Sequence, residues 1–184
     1  MVLLITGASH VGKTALAQAL TKRCGVSHLC IDHLKMGLIR SGHTALSPLS
    51  SDGELTTLLW PIVREIIKTA VENGQDLIVE GCYVPADFER DFSEEYRAHL
   101  RLICLAMTKR YVKAQFDKIT AFANVAEKRL CDELVMEDVL SDNESFASRF
   151  RAQGQNVLLI DAAYEETLRR CADDMQNLFS KGEE

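Results

Sequence analysis

The chain has 184 residues, 47% hydrophobic and 26% charged, enough for one domain with a core of its own. Twenty-one Lys and Arg against 27 Asp and Glu give a formal charge of −6, and basic residues cluster no further than pairs such as Lys22-Arg23 and Arg169-Arg170. That distribution excludes the footprint of a nucleic-acid binder. The six cysteines (Cys24, Cys30, Cys82, Cys104, Cys131, Cys171) contain no C-x-x-C spacing, which argues against a disulfide framework or a zinc site. No apolar run reaches membrane-spanning length, and the first residues lead straight into a motif, so a cytoplasmic protein without a leader or a membrane partner is expected.

Val2 to Thr6 is an apolar, β-branched run that reads as a buried strand. It empties into Gly7-Ala8-Ser9-His10-Val11-Gly12-Lys13-Thr14, the pattern G-x-x-x-x-G-K-T, and Ala15 to Leu20 reads as the helix that such a loop opens. The spacing has a chemical reason. Gly7 and Gly12 admit backbone conformations that let consecutive N–H groups converge on an anion, and the positive end of the helix adds to them. Lys13 reaches the β and γ oxygens of a nucleotide as a point charge, and the Thr14 hydroxyl is placed to ligate Mg²⁺. The loop from Gly7 to Thr14 is therefore expected to bind ATP with magnesium.

The first helix should end near Cys24-Gly25, with Gly as C-cap. Ser27 to Ile31 reads as a second strand ending in Asp32, and Asp32 to Leu38 as a loop or N-cap running into a short helix. Residues 41 to 53 are rich in turn residues and suit a substrate-side flap. Ile62, Val63, Ile66, Ile67, Ala70 and Val71 recur at helical spacing behind Pro61, which suits a helix start or a kink, and Asn73-Gly74 ends the run. Asp76 to Gly81 is a third strand with Glu80 at its carboxyl end. Pro85 to Phe92 reads as a helical turn, and Leu100 to Ala106 as a fourth strand. Thr108 to Arg151 reads as helices, with Asp142-Asn143 a cap between two of them. Gln155 to Asp161 is a fifth strand, Tyr164 to Phe179 a closing helix, and Lys181 to Glu184 a frayed end.

Alternation of apolar strands with helices predicts an α/β fold with a parallel sheet covered on both faces. In such sheets the ligand lies beyond the carboxyl ends of the strands, where Thr6-Gly7, Asp32 and Glu80 all fall. Neither N-K-x-D nor D-x-x-G, the guanine and switch motifs of a GTPase, occurs. His28, His33, His43 and His99 lack metal-site spacing, and Trp60 is expected to pack rather than to stack on a substrate.

The chain resembles the adenylate-kinase-like P-loop kinases, and among them small-metabolite kinases of the chloramphenicol phosphotransferase, gluconate kinase and 2-phosphoglycerate kinase type. The resemblance rests on Gly7 to Thr14, on Asp32-His33-Leu34, and on Ile78-Val79-Glu80-Gly81 followed by Tyr83-Val84-Pro85. It implies a three-layer fold with a five-stranded parallel sheet of order 2-3-1-4-5, a helical lid within 108–151, and ATP-dependent phosphoryl transfer to a small-molecule acceptor. By position, Asp32 resembles the carboxylate that takes the proton of the acceptor hydroxyl or helps place Mg²⁺; a plain helix N-cap is the other reading. Glu80 resembles an outer-shell metal contact or a hydrogen-bond partner of the acceptor, against a strand-end carboxylate held by backbone donors. The lid cation that stabilises the transferring group is assigned first to Arg110, with Lys113, Arg129 and Arg149 behind it. Asp161 to Tyr164 resembles the adenine-holding segment. The acceptor pocket falls to residues 33–60 and 82–97, where Lys35, Arg40, His43, Tyr83 and Arg90 suit an anionic or a neutral polar compound equally. A nucleoside or nucleotide kinase is an alternative, weakened because Glu80-Gly81-Cys82-Tyr83-Val84-Pro85 lacks the arginine of D-G-F-P-R, and a non-catalytic ATP-binding regulator is another. Oligomeric state is not encoded in any of these features.

Overall fold

Five short apolar segments form one all-parallel sheet in a computed structural model that describes residues 1–122 and 134–179. The strands are β1 (Val2–Gly7), β2 (Ser27–Cys30), β3 (Leu77–Glu80), β4 (Leu100–Met107) and β5 (Val157–Ile160), ordered β2-β3-β1-β4-β5 as the resemblance implies. Every residue of β1 is buried, because a central strand has neighbours on both edges and helices on both faces. The register sets Ile5 level with Glu80, Glu80 level with Cys30, and Thr6 level with Cys104. The carboxyl ends of β1, β2, β3 and β4 therefore open on one edge.

The connecting helices are α1 (Lys13–Cys24), α2 (Ile31–Arg40), α3 (Asp52–Glu72), a 3₁₀ turn at Phe88–Asp91, α4 (Glu94–Arg97), α5 (Lys109–Phe122), α6 (Met136–Ala152) and α7 (Tyr164–Gln176). α1 packs on α7 and on β3, while α6 lies on β4 and on α5. Leu3, Leu4, Ile5, Leu16, Leu20, Leu59, Ile67 and Phe150 are among the fully buried side chains of the core. Burying each such side chain contributes about 1.5–3 kcal/mol before conformational entropy is charged against it.

Three expectations need correction. α3 begins at Asp52 rather than near Pro61, and its start is a capping box in which Ser51 Oγ accepts from Glu54 N–H and Glu54 returns a bond to Ser51 N–H. Leu55 and Leu59 already lie on the buried face, so burial and the cap carry the helix through Pro61, which stands on its exposed side. α2 begins one residue before Asp32, with Cys30 in the N-cap position, so Asp32 is a first-turn residue and not the cap. Asp142 and Asn143 lie inside α6, not between two helices.

Trp60 packs edge-on against Phe88 and Phe92, and its Nε1 donates to Asp91 at 2.7 Å, which clasps α3 to the 3₁₀ turn. Arg129, Cys131 and Lys181 to Glu184 lie outside the described residues. No helix among the described residues is long and apolar enough to cross a membrane.

Candidate active site

The loop between β1 and α1 has the backbone that its motif requires. Gly7, His10 and Gly12 take φ of 138°, 63° and 96°, all in the left-handed half of the map. A side chain at Gly7 would meet the Leu105 carbonyl oxygen at 2.0 Å, and one at Gly12 would meet the Tyr164 hydroxyl at 2.1 Å, so only glycine fits either place. Gly12 precedes the first residue of α1, which directs the helix's free N–H groups and positive end at the loop. Lys13 Nζ donates to the carbonyls of Gly7 at 3.1 Å and Ala8 at 2.7 Å, folded back over the loop it serves.

Thr14, on the first turn of α1, donates its hydroxyl to Glu80 Oε1 at 3.2 Å. Glu80 is 1% exposed, so its carboxyl group is buried next to the hydroxyl that the motif assigns to a divalent cation. Burial, together with a hydrogen bond to Glu80, pushes the Cys30 thiol far above its ordinary range. That leaves Cys30 a neutral neighbour of the carboxylate. Hydroxyl, carboxylate and phosphate oxygens are the hard donors that Mg²⁺ selects, so Thr14, Glu80 and the loop fit that ion and a nucleotide phosphate.

Across the crevice, α2 presents Asp32 and Lys35 one turn apart, and the two form an ion pair. Lys35 Nζ also donates to Tyr83 Oη at 2.8 Å and lies 5.0 Å from the centre of that ring. Burial pushes the Tyr83 hydroxyl well above its usual value, so it stays a neutral phenol. Burial raises the Cys82 thiol to about 11, with the charges of Asp32 and Asp52 adding to it and those of Lys13 and Lys35 opposing it, so the loop lysine and the α2 pair act on one thiol.

Not every candidate converges. Arg110 is exposed and engaged by Asp161, which follows β5; the guanidinium holds that carboxyl below its usual range, with help from the Thr108 hydroxyl. Arg40 is exposed at the end of α2, five positions beyond Lys35 and hence on another side of the helix. Arg90 pairs with Asp87 at 2.6 Å; Arg149 is exposed and lies over the Phe146 ring at 4.8 Å, and its charge reaches the site through Asp142 on its own helix. Lys113 is exposed on α5. A cavity of about 1090 Å³ is lined by Ser27, Ile66, Ala70, Leu77 and Phe179 at the amino ends of β2 and β3, away from this chemistry.

One residue at the site has no local sequence signal. Asp142, 133 positions from the loop, accepts the Ser9 N–H at 2.8 Å. Its spacing within α6 looks like that of any solvated helical acid, and only the folding of α6 across β4 and β1 brings it here.

No protein-family model matches the sequence, and no curated protein matches it either. Solved structures do. A shikimate kinase from Bacteroides thetaiotaomicron superposes with a TM-score of 0.55 at 17% identity, over 98% of this chain and 99% of that one. A gluconokinase from Sinorhizobium meliloti 1021 gives 0.53 at 14% identity over 94% of each chain. A sugar kinase from Janibacter sp. HTCC2649 gives 0.52 at 16%, over 94% of this chain and 92% of that one. The fold is the three-layer fold of the P-loop kinases. These similar structures are of the small-metabolite type to which the sequence shows its resemblance, and at such identities the likeness speaks for the architecture alone.

Proposed function

We propose that the protein is an ATP-dependent phosphotransferase that moves the γ-phosphoryl group to a hydroxyl or carboxylate of a small molecule. The observation that carries this reading is the meeting, at one sheet edge, of a Gly7–Thr14 loop in phosphate-binding conformation with the Asp32–Lys35–Tyr83 cluster. A binding loop alone suits many nucleotide-binding proteins. A half-buried base beside a lysine and a phenol, set across from that loop, suits transfer to a second molecule.

In this reading the loop amides and Lys13 would hold the β and γ phosphates, and Thr14 and Glu80 would hold Mg²⁺, which would supply positive charge to the phosphate oxygens. Asp32 accepts the proton of the acceptor hydroxyl as its oxygen bonds to the γ phosphorus. The bond from that phosphorus to the bridging oxygen breaks, and the electron pair leaves with ADP. The Lys35 ammonium fixes the direction of the Asp32 carboxylate, and the Tyr83 hydroxyl, which accepts from the same ammonium, holds Lys35 in place.

The test is an ADP-release assay with magnesium over sugars, hydroxy acids and nucleosides, followed by mass analysis of the product. A phosphorylated small molecule supports the reading. Preference for a nucleoside or its monophosphate would move the acceptor class, and tight ATP binding with no product from any acceptor would leave a nucleotide-binding regulator.

A further inference from the structure

An oxyanion already sits on the phosphate loop, and it belongs to the chain itself. Asp142 Oδ2 takes the Ser9 N–H at 2.8 Å, in the middle of the Gly7–Thr14 turn. The Lys13 ammonium, meanwhile, is satisfied by the Gly7 and Ala8 carbonyls. A donor and a cation that the motif devotes to phosphate oxygens are thus both occupied from within.

The placement of Asp142 is rigid. Its neighbour Asn143 is 2% exposed, accepts the Met107 N–H at 2.6 Å through Oδ1, and donates through Nδ2 to the Val139 carbonyl at 2.7 Å. Those bonds tie this turn of α6 to the end of β4. Below it, Phe146 and Phe150 stack with ring centres 6.0 Å apart, both buried in the core. The turn cannot slide without leaving the Met107 N–H unpaired, so the carboxylate at 142 is held against the loop by the fold rather than by its own reach.

The charged groups that face Asp142 are Lys13 on α1, Asp52 on α3 and Arg149 on its own helix. Burial raises the Asp142 carboxyl above its usual range, although the Ser9 N–H and Lys13 pull it down. It is a partly buried carboxyl group beside the place where a triphosphate would bring several negative charges.

We propose that Asp142 is the resident anion of the phosphate loop, an affinity-setting residue whose carboxylate the nucleotide's phosphates displace from Ser9. The inference rests on the nucleotide-binding reading above and extends it. In the empty protein the carboxylate keeps the loop's N–H satisfied and its backbone in place. On binding, the nucleotide must break that bond and bear the repulsion of a nearby carboxylate, so the penalty grows with the number of phosphates.

The comparison that tests it is wild type against Asp142→Asn, by calorimetry with adenosine, ADP and ATP in the presence of magnesium. Asparagine keeps an oxygen acceptor for Ser9 and removes the charge. The expected result is a Kd for ATP lower by roughly tenfold, a smaller gain for ADP, and none for adenosine. Equal or weaker ATP binding by the variant would overturn the proposal and make Asp142 a purely structural acceptor or a helper of the metal. A nucleotide-free readout separates this from the wider reading: the ¹⁵N shift of the Ser9 amide should move as the wild-type carboxylate titrates and stay flat in Asp142→Asn. A flat wild-type titration also overturns the proposal. If the Ser9 shift titrates but neither protein binds ATP, the nucleotide reading fails and takes the displacement step with it. Should Asp142→Asn melt early, Asp142→Ser, also uncharged and an acceptor, carries the same comparison.

Discussion

The Thr14 hydroxyl and the Glu80 carboxylate meet at 3.2 Å across 66 positions of sequence, joining the first turn of α1 to the end of β3. A carboxyl group 1% exposed needs hydrogen-bond partners, and here the donors that face it are a hydroxyl and a thiol. Removing the charge while keeping the shape should therefore act on the metal. Glu80→Gln is expected to raise the magnesium concentration needed for half-maximal rate by about tenfold or more, as supporting groups of metal sites do. A magnesium titration of the transfer rate checks this; an unchanged midpoint would reduce Glu80 to a strand-end acceptor.

Lys13→Ala should abolish transfer and weaken ATP binding by about a hundredfold, the loss of a charge-assisted contact to phosphate. The fold should survive, because Lys13 bonds only to carbonyls of its own loop, and those regain water when it goes. Calorimetry with ATP and a far-ultraviolet circular dichroism spectrum measure the two halves of the statement.

Asp32→Asn preserves volume and removes the base. A fall in kcat of roughly a hundredfold with little change in the KM for ATP is expected if Asp32 takes the acceptor's proton. Lys35→Met should give a smaller loss, since it frees Asp32 and Tyr83 from their common partner without removing the base. Steady-state kinetics on the two variants distinguishes the roles.

Asn143→Ala strips the Met107 N–H and the Val139 carbonyl of a buried partner. An unsatisfied buried group costs about 1–3 kcal/mol, which for a chain of this size lowers Tm by roughly 2–4 °C per kcal/mol. Thermal denaturation followed by circular dichroism reads the change. A Tm equal to that of wild type would mean that water reaches the vacated site.

Burial raises the thiols of Cys82 and Cys171 to about 11 and that of Cys104 to about 12. A folded pKa above the unfolded one means that stability is fully present below the unfolded thiol's pKa, near 8.5, and is lost as pH rises toward the folded value. Each of these thiols should cost about 1.4 kcal/mol per pH unit between the two. Urea unfolding at pH 8 and at pH 10 should show the decline, and Cys104→Ala should make it shallower.

Much of the architecture is written in local pattern. The run Val2 to Thr6, the capped ends at Gly12 and Gly25, and the apolar strands at 77–80, 100–107 and 157–160 each follow from neighbours in sequence, because strand burial and helix capping are short-range demands. The start of α3 was equally local, in Ser51 and Glu54, but Pro61 is the more conspicuous signal and points to a later start.

What the amino-acid sequence determined by itself is the phosphate loop: eight consecutive residues whose backbone freedom, lysine and hydroxyl have to lie together to do their chemistry. What only the tertiary structure decided is what surrounds that loop. The bond from Lys35 to Tyr83, the meeting of Thr14 with Glu80, the engagement of Arg110 by Asp161 and the carboxylate of Asp142 on Ser9 each join positions on separate elements. Their distances are set by strand order, register and helix packing, which are sums over the whole core, and no window of sequence contains them.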